Sequence, residues 1–500
     1  MPLASGKGET GIFDLNSPGL QTNRDAWVYS FSERVLRAQV AGIVETYNAD
    51  VARLDGTPQE DRGGLATKDP AKISWSSSLL QRLARGDRLS VRDGQFVIGS
   101  YRPFNRQRVY FADTLNHRVG KMPQFFPTRE HSNTGFVLTG ISSHYDFSLM
   151  AVDAIPDLHL LDTGVCFPRW RYEPIPDADG PAAAGAGTQG ALDLAGVPGR
   201  ASGGDDAATD PADAGAQGAL DLAGVGRAGR ENEAAADSTG AGGADQAGAA
   251  QGEGGGGGAG ADEAGDGIVH GYRRIDNITD AALAAFRHAY GRRVTKDDVF
   301  HYVYGLLHSA DYRREFGADL KKSLPRVPLV ASREAFEAFA AAGRELMALH
   351  LGYEQAEPWP DLAITGDHPD GDPHAWYRVE KMRYATAGKA KDKTAVVYNP
   401  RITVSGIPPE AQDYLLGARS AIDWILERYQ VKTDKASGIV NDPNDWSLEH
   451  GAPRHILDLL TRVVTVSART VEITAGLPPL SSSDRDVTTH VDDRRQGDQP

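Results

Sequence analysis

A chain of 500 residues with 40% apolar side chains is long enough for two or three ordinary domains with real cores. No apolar run approaches the roughly 20 residues that span a bilayer, and the opening MPLASGKGETGIFDL lacks the apolar centre of a secretory signal. A single cysteine, Cys166, excludes an internal disulfide and a cysteine-based zinc site, so a cytoplasmic protein is expected. The formal net charge of −15 is unevenly placed. Residues 177–266 carry 16 acidic side chains against Arg200, Arg227 and Arg230, and the stretch 484–498 adds five aspartates against three arginines. With these set aside the remainder is electrically neutral, which leaves room for basic patches.

In chain order, TNRDAWVYSFS leads into a helical pattern through Val35, Val40, Ile43, Val44 and Tyr47, and a second helix is predicted around Ser78–Arg85. Short β-type runs follow: GQFVIGSYRPF, RQRVYFAD, GFVLTGIS and FSLMAVDAI, closed by IPDLHLLDTGVCFPRW. Residues 173–267 then form a linker of almost wholly Gly, Ala, Asp, Gln and Ser, with QGALDLAGV repeated at Gln189–Val197 and Gln217–Val225. So few apolar groups do not offset the entropy of ordering, and disorder is predicted there.

The C-terminal region, 268–480, opens with ITDAALAAFRHAYG, where Thr279 is placed to cap a helix that Gly291 ends. TKDDVFHYVYGLLHS follows, with Thr295 and Asp298 spaced as a capping box and Val299, Tyr302, Val303, Leu306 and Leu307 as its apolar stripe. SADYRREFGADLKKSLPRVPL and SREAFEAFAAAGRELMALHLGY add helix. Strands are predicted in WYRVEKMRY, TAVVY and RITVSG, the last two separated by the turn signal Asn399-Pro400. PPEAQDYLLG, ARSAIDWILERY and HILDLLTRVVTVSARTVEIT return to helical spacing, and residues 481–500 form a polar tail. The expected class is mixed α+β: helices flanking small, mostly antiparallel sheets, in an N-terminal region of residues 1–172 and a C-terminal region of residues 268–480.

The chemistry of catalysis is sparse. No Gly-x-x-x-x-Gly-Lys-Ser/Thr phosphate loop occurs, and both DEAG at Asp262–Gly265 and the glycine run Gly252–Gly260 lie in the linker with no strand before them. Pro369-Asp370 is followed by no Glu-x-Lys. His301 and His308 lack a Glu or His at metal spacing, and Asp157, His159 and Asp162 alternate with leucines as a strand edge and turn do. No catalytic residue and no metal ligand is expected.

Basic residues interleaved with aromatics and amides make a more coherent pattern. YRPFNRQRVYF places Arg102, Arg106 and Arg108 among Tyr101, Phe104, Tyr110 and Phe111, and strand alternation puts the arginines on one face; Asn116, Arg118 and Lys121 follow. ATAGKAKDK brings Lys389, Lys391 and Lys393 to the link between two predicted strands, a phosphate-contacting tip or a plain soluble loop. The polar stretch QVKTDKASGIVNDPNDW, residues 430–446, offers Lys432 and Lys435 to phosphates. Its Asn441 and Asn444 either read base edges or cap the turns that Ser437-Gly438 and Asp442-Pro443-Asn444 enforce.

Taken together, TNRDAWVYSF, YRPFNRQRVYF with NHRVGKMPQFFPT, IPDLHLLDTGVCFP, VFHYVYGLLHS and RYQVKTDKASGIVNDPNDW resemble the C-terminal region of Type ISP restriction–modification enzymes. The resemblance covers most of 11–172 and 268–480. Members of that family combine a nuclease, an ATP-driven DNA translocase, an adenine methyltransferase and a C-terminal target recognition domain in one polypeptide. It therefore implies a specificity module that reads a short asymmetric site on double-stranded DNA.

The Asn/Asp-Pro-Pro-Tyr/Phe motif that holds a flipped adenine is missing; YNPRI at Tyr398 and NDPND at Asn441 are the nearest strings. S-adenosylmethionine, ATP and Mg are expected only in the complete enzyme, with no cofactor in this chain. If Met1 is the true start, a separately encoded polypeptide is expected to supply methyltransferase, translocase and nuclease. Two alternatives follow from the same residues: one component of a split adenine methyltransferase completed in trans, or an inactive truncated remnant.

Overall fold

The computed structural model describes residues 1–6, 8–141, 143–176 and 267–480, which all belong to one unit. Residues 177–266 of the expected linker and the polar tail lie outside the described residues; the linker's expected ends are ordered instead, with Glu173 and Pro174 in the strand Trp170–Pro174 and Gly267 opening the strand Gly267–Val269.

The mixed class is as expected, and its organising element is a four-stranded antiparallel sheet ordered Ser17–Pro18, Val165–Pro168, Gly135–Leu138, Leu149–Val152. Gly135–Leu138 and Leu149–Val152 are buried along their whole length. Alternation sends their side chains into two different cores. Val137, Met150, Val152 and Cys166 join one, whereas Phe136, Leu138, Leu149, Ala151 and Phe167 join the other. A sheet covered on both faces needs continuous apolar runs, which is why GFVL and LMAV read as they do.

The second of these cores is aromatic. Phe13 meets Phe136, Phe167 and Phe300 edge-on, and the helices Asp280–Tyr290, Lys296–His308 and Arg333–Leu351 supply its other wall. The predicted caps form: Thr279 Oγ1 accepts from Ala282 N at 3.2 Å, and Thr295 and Asp298 make the reciprocal box. Lys296–His308 and Arg333–Leu351 approach so closely at Gly305 and Gly343 that a Cβ on Gly305 would stand 2.2 Å from the Phe339 carbonyl oxygen. Only glycine fits there.

The first core joins sequence from both sides of the linker. A second sheet, ordered Tyr29–Ser30, Asn105–Tyr110, Phe96–Arg102, Ile155–Pro156, packs with the helix Glu33–Arg53. The same core holds the sheet Ala363–Thr365, Thr403–Ser405, Ala390–Val397, Arg383–Ala387 and the helices Ala421–Arg428 and His455–Ala475. Trp170–Pro174 pairs directly with Tyr272–Asp276. The regions before and after the linker are thus docked, a question the sequence leaves open.

Two predicted elements differ. WYRVEKMRY begins inside a short helix, Pro373–Tyr377, which Asp372 caps, and the strand starts only at Arg383. PPEAQDYLLG forms one 3₁₀ turn, Pro409–Gln412, then a two-residue strand whose Leu416 carbonyl accepts the Trp424 indole N–H at 3.0 Å.

Candidate nucleic-acid interface

YRPFNRQRVYF forms a tight hairpin whose tip, Phe104, adopts a left-handed φ of 55° and sits edge-on to Tyr353 and Tyr414. That docking draws its arginines inward. Arg102 is 6% exposed, bonds Asp157 at 2.5 Å, lies 3.6 Å from Asp25, and stacks 4.2 Å over the Tyr101 ring. Burial disfavours its charge, but Asp157, Tyr101 and Asp25 outweigh that and raise its pKa. Arg106 forks onto Asp153 at 2.7 and 2.9 Å and reaches Glu354 at 3.1 Å. Arg108 lies 3.5 Å from Glu33. Arg106 and Arg108 do share a strand face, with Gln107 and Val109 buried on the other, but all three arginines face internal carboxylates.

Lys389, Lys391 and Lys393 stand exposed on the hairpin of Arg383–Ala387 and Ala390–Val397. The turn is just Gly388-Lys389, with Gly388 at φ 65°. Lys391 and Lys393 share one strand face by parity. Lys393 lies 3.6 Å from Asp423 and 5.5 Å over the Tyr384 ring, while no ion pair engages Lys389 or Lys391 among the described residues. Arg118 and Lys121 are also exposed, on a segment where Arg118 pairs with Gln21 through the backbone.

The stretch 430–446 is a miniature hairpin, Lys432–Thr433 against Val440–Asn441. Asp434 builds its turn by accepting from Ser437 N at 2.8 Å and Ser437 Oγ at 2.6 Å, with Gly438 at φ 72°. Lys435 is exposed at the tip. Lys432 is half-buried, 3.9 Å from Glu427. Asn444 is 6% exposed and grips Val379: Oδ1 accepts from Val379 N at 2.9 Å, and Nδ2 donates to Val379 O at 2.8 Å. Asn441 sits opposite Lys432, its Oδ1 buried with no partner among the described residues. Asn444 therefore serves the loop itself.

Two features escape the sequence reading. The four-stranded sheet turns Tyr384, Val396 and Val404 inward and carries an outward cross-strand row, Arg383–Val397–Thr403–Thr365, whose ends are exposed. Period-2 alternation is the signal for it, but placing the strand start at Trp376 hides the parity. Secondly, Glu449 caps the helix Glu33–Arg53 from a distance of more than 400 residues. Its carboxylate accepts from Ser32 Oγ, from Glu33 N at 3.1 Å and from Arg34 N at 3.3 Å.

The Type ISP C-terminal specificity domain family matches residues 11–459, and the chain belongs to it. Three solved structures share the fold across 96% of this chain. A nuclease-deletion mutant of the Type ISP restriction–modification enzyme LlaGI, in complex with a DNA substrate mimic, is 29% identical with a TM-score of 0.67. The ATP-dependent Type ISP restriction–modification enzyme LlaBIII bound to DNA is 26% identical at 0.68, and a DrdV–DNA complex is 27% identical at 0.67. The chain spans 34%, 24% and 38% of those three chains. No curated protein matches it.

Among the described residues no helix is long and apolar enough to cross a membrane, and no group of three or more His, Cys, Asp or Glu side chains is arranged to hold a metal ion.

Proposed function

We propose that this chain reads a specific sequence on double-stranded DNA as the specificity component of a Type ISP restriction–modification system. The observation that carries it is the family match over residues 11–459, together with a shared fold with enzymes solved on DNA. The exposed surface supports the reading. Lys389, Lys391, Lys393 and Lys435 suit phosphates, with Arg118 and Lys121 on a second segment, and the outward row from Arg383 to Thr365 supplies side chains able to meet base edges. Arg102, Arg106 and Asn444 serve as internal supports for this surface.

Methyl transfer, translocation and cleavage belong in this reading to other polypeptide sequence, with S-adenosylmethionine, ATP and Mg, and the site of action is the cytoplasm. Selection from a random-sequence duplex pool by the purified chain tests the proposal. Enrichment of one asymmetric site is expected. Equal retention of all sequences, or of none, overturns it.

A further inference from the structure

The beginning of TNRDAWVYSF takes no part in the surface above, yet it holds an unusual charge. Arg24 is 4% exposed. Its Nη2 donates to Ser76 Oγ at 2.5 Å, whereas Nε and Nη1 are buried with no partner among the described residues. Among the described residues no carboxylate pairs with it. Neighbouring Asp25 is occupied by Thr22, by Tyr101 at 3.1 Å and by Arg102 at 3.6 Å, and Asp113 is held by Arg82 at 3.0 Å. Burial pulls Arg24 down to about 10, so it remains charged at neutral pH.

The surroundings add to the positive potential. Ser76 is the N-cap of the helix Ser77–Arg85, so the guanidinium is aimed at the positive end of a helix dipole, and the first turn contains no acid. Asn23, immediately before Arg24, adopts a left-handed φ of 56°. His117 lies close enough that, after burial, Arg118 and Arg24 both lower its pKa, and its Nδ1 is likewise buried without a partner. Arg118 beside it is exposed, and Ser78, 3.0 Å from Ser76 Oγ, is half-buried.

A buried guanidinium at a helix N-terminus with no counter-charge is costly unless an anion completes it. Helix N-termini and arginine forks both suit phosphate oxygens. We propose that Arg24, Ser76, His117 and Arg118 form a phosphate-binding site, filled by a backbone phosphodiester when duplex DNA is bound. The source of the phosphate rests on the DNA-recognition reading above. Such a contact sets register without carrying sequence information.

The test uses the full chain and two probes, inorganic phosphate at constant ionic strength and duplex DNA. Phosphate is expected to raise the melting temperature of the wild type and leave that of Arg24→Gln unmoved. Arg24→Gln is also expected to weaken every duplex alike and to lower the slope of log K against log salt by about one. Arg118→Ala, at the exposed rim, should reduce both responses and covers the case in which Arg24→Gln does not fold.

If phosphate shifts wild type and variants equally, or shifts none, the site is overturned. If phosphate acts through Arg24 but duplex affinity does not depend on it, the DNA source is overturned and free phosphate is the ligand. A wild type that binds no duplex while phosphate still acts through Arg24 removes the DNA reading and keeps the anion site.

Discussion

Asn444 holds the main chain of Val379 at both of its polar groups, accepting from the N–H at 2.9 Å and donating to the C=O at 2.8 Å. With Arg378 bonded to Asp442 at 2.8 Å, this ties the 430–446 loop to the segment that precedes the strand Arg383–Ala387. Asn444→Ala leaves two buried backbone groups unpaired. The expected loss is about 2–6 kcal/mol at roughly 1–3 kcal/mol per group, read by urea denaturation. Site preference per folded molecule should stay as in wild type. A changed preference would show that Asn444 reads bases after all.

The fold was legible where one physical rule governs a segment. Thr279, Thr295 and Asp298 cap helices because orphan N–H groups need acceptors within three residues, and that spacing is visible in sequence. The candidate site was less legible because exposure is a tertiary property. Arg106 and Lys391 look alike as basic strand residues, but only the fold brings Asp153 and Glu354 to Arg106 and nothing comparable to Lys391. Glu449 on Ser32, and Arg24 on Ser76, depend on segments far apart in sequence and leave no local pattern.

Arg102 and Asp157 should behave as a buried pair. Burial pushes Asp157 up to about 7, and Arg102 is the main group acting against that. Arg102→Met strands the carboxylate, and a loss of about 3–5 kcal/mol is expected, whereas removing both charges in Arg102→Met/Asp157→Leu should cost less than the single change. Chemical denaturation of the two singles and the double completes the cycle. A double mutant as unstable as the sum of the singles would mean the charges do not interact.

The histidines of the helical core predict acid lability. His350 Nε2 donates to Thr470 Oγ1 at 2.9 Å, because that hydroxyl already donates to Val466 O, so Nδ1 accepts from Tyr304 OH at 2.6 Å. Burial lowers His350 to about 3. His308, whose Nδ1 donates to Tyr304 O at 2.8 Å, is also lowered, by burial first and then by Arg313 and His350. Both folded values lie below the ordinary 6.5, so the unfolded chain binds protons that the folded one refuses. Their contribution is complete above pH 6.5 and is lost as pH falls below it, for His350 down toward about 3, at about 1.4 kcal/mol per pH unit for each histidine. His350→Gln should flatten the slope between pH 6.5 and 5 by close to one proton. An unchanged slope in urea titrations would remove His350 from the account.

The hairpin lysines separate register from reading. Lys389 and Lys391 are exposed, and Lys393 makes a half-exposed contact with Asp423 at 3.6 Å and lies 5.5 Å over the Tyr384 ring. Replacing all three by Ala should therefore change folding stability by no more than about 0.5 kcal/mol per site. If each meets a phosphate, the slope of log K against log salt falls by up to about 0.9 per lysine, and affinity drops uniformly across sequences. Arg383→Ala, at the head of the outward row, should instead relax discrimination at one position of the site, by about 1–3 kcal/mol against the wrong base. Selection on the same random pool compares them directly: the triple variant keeps the enriched site at lower yield, and Arg383→Ala degrades one base of it. The opposite pattern would exchange the two roles, making the hairpin the reader and the sheet row the support.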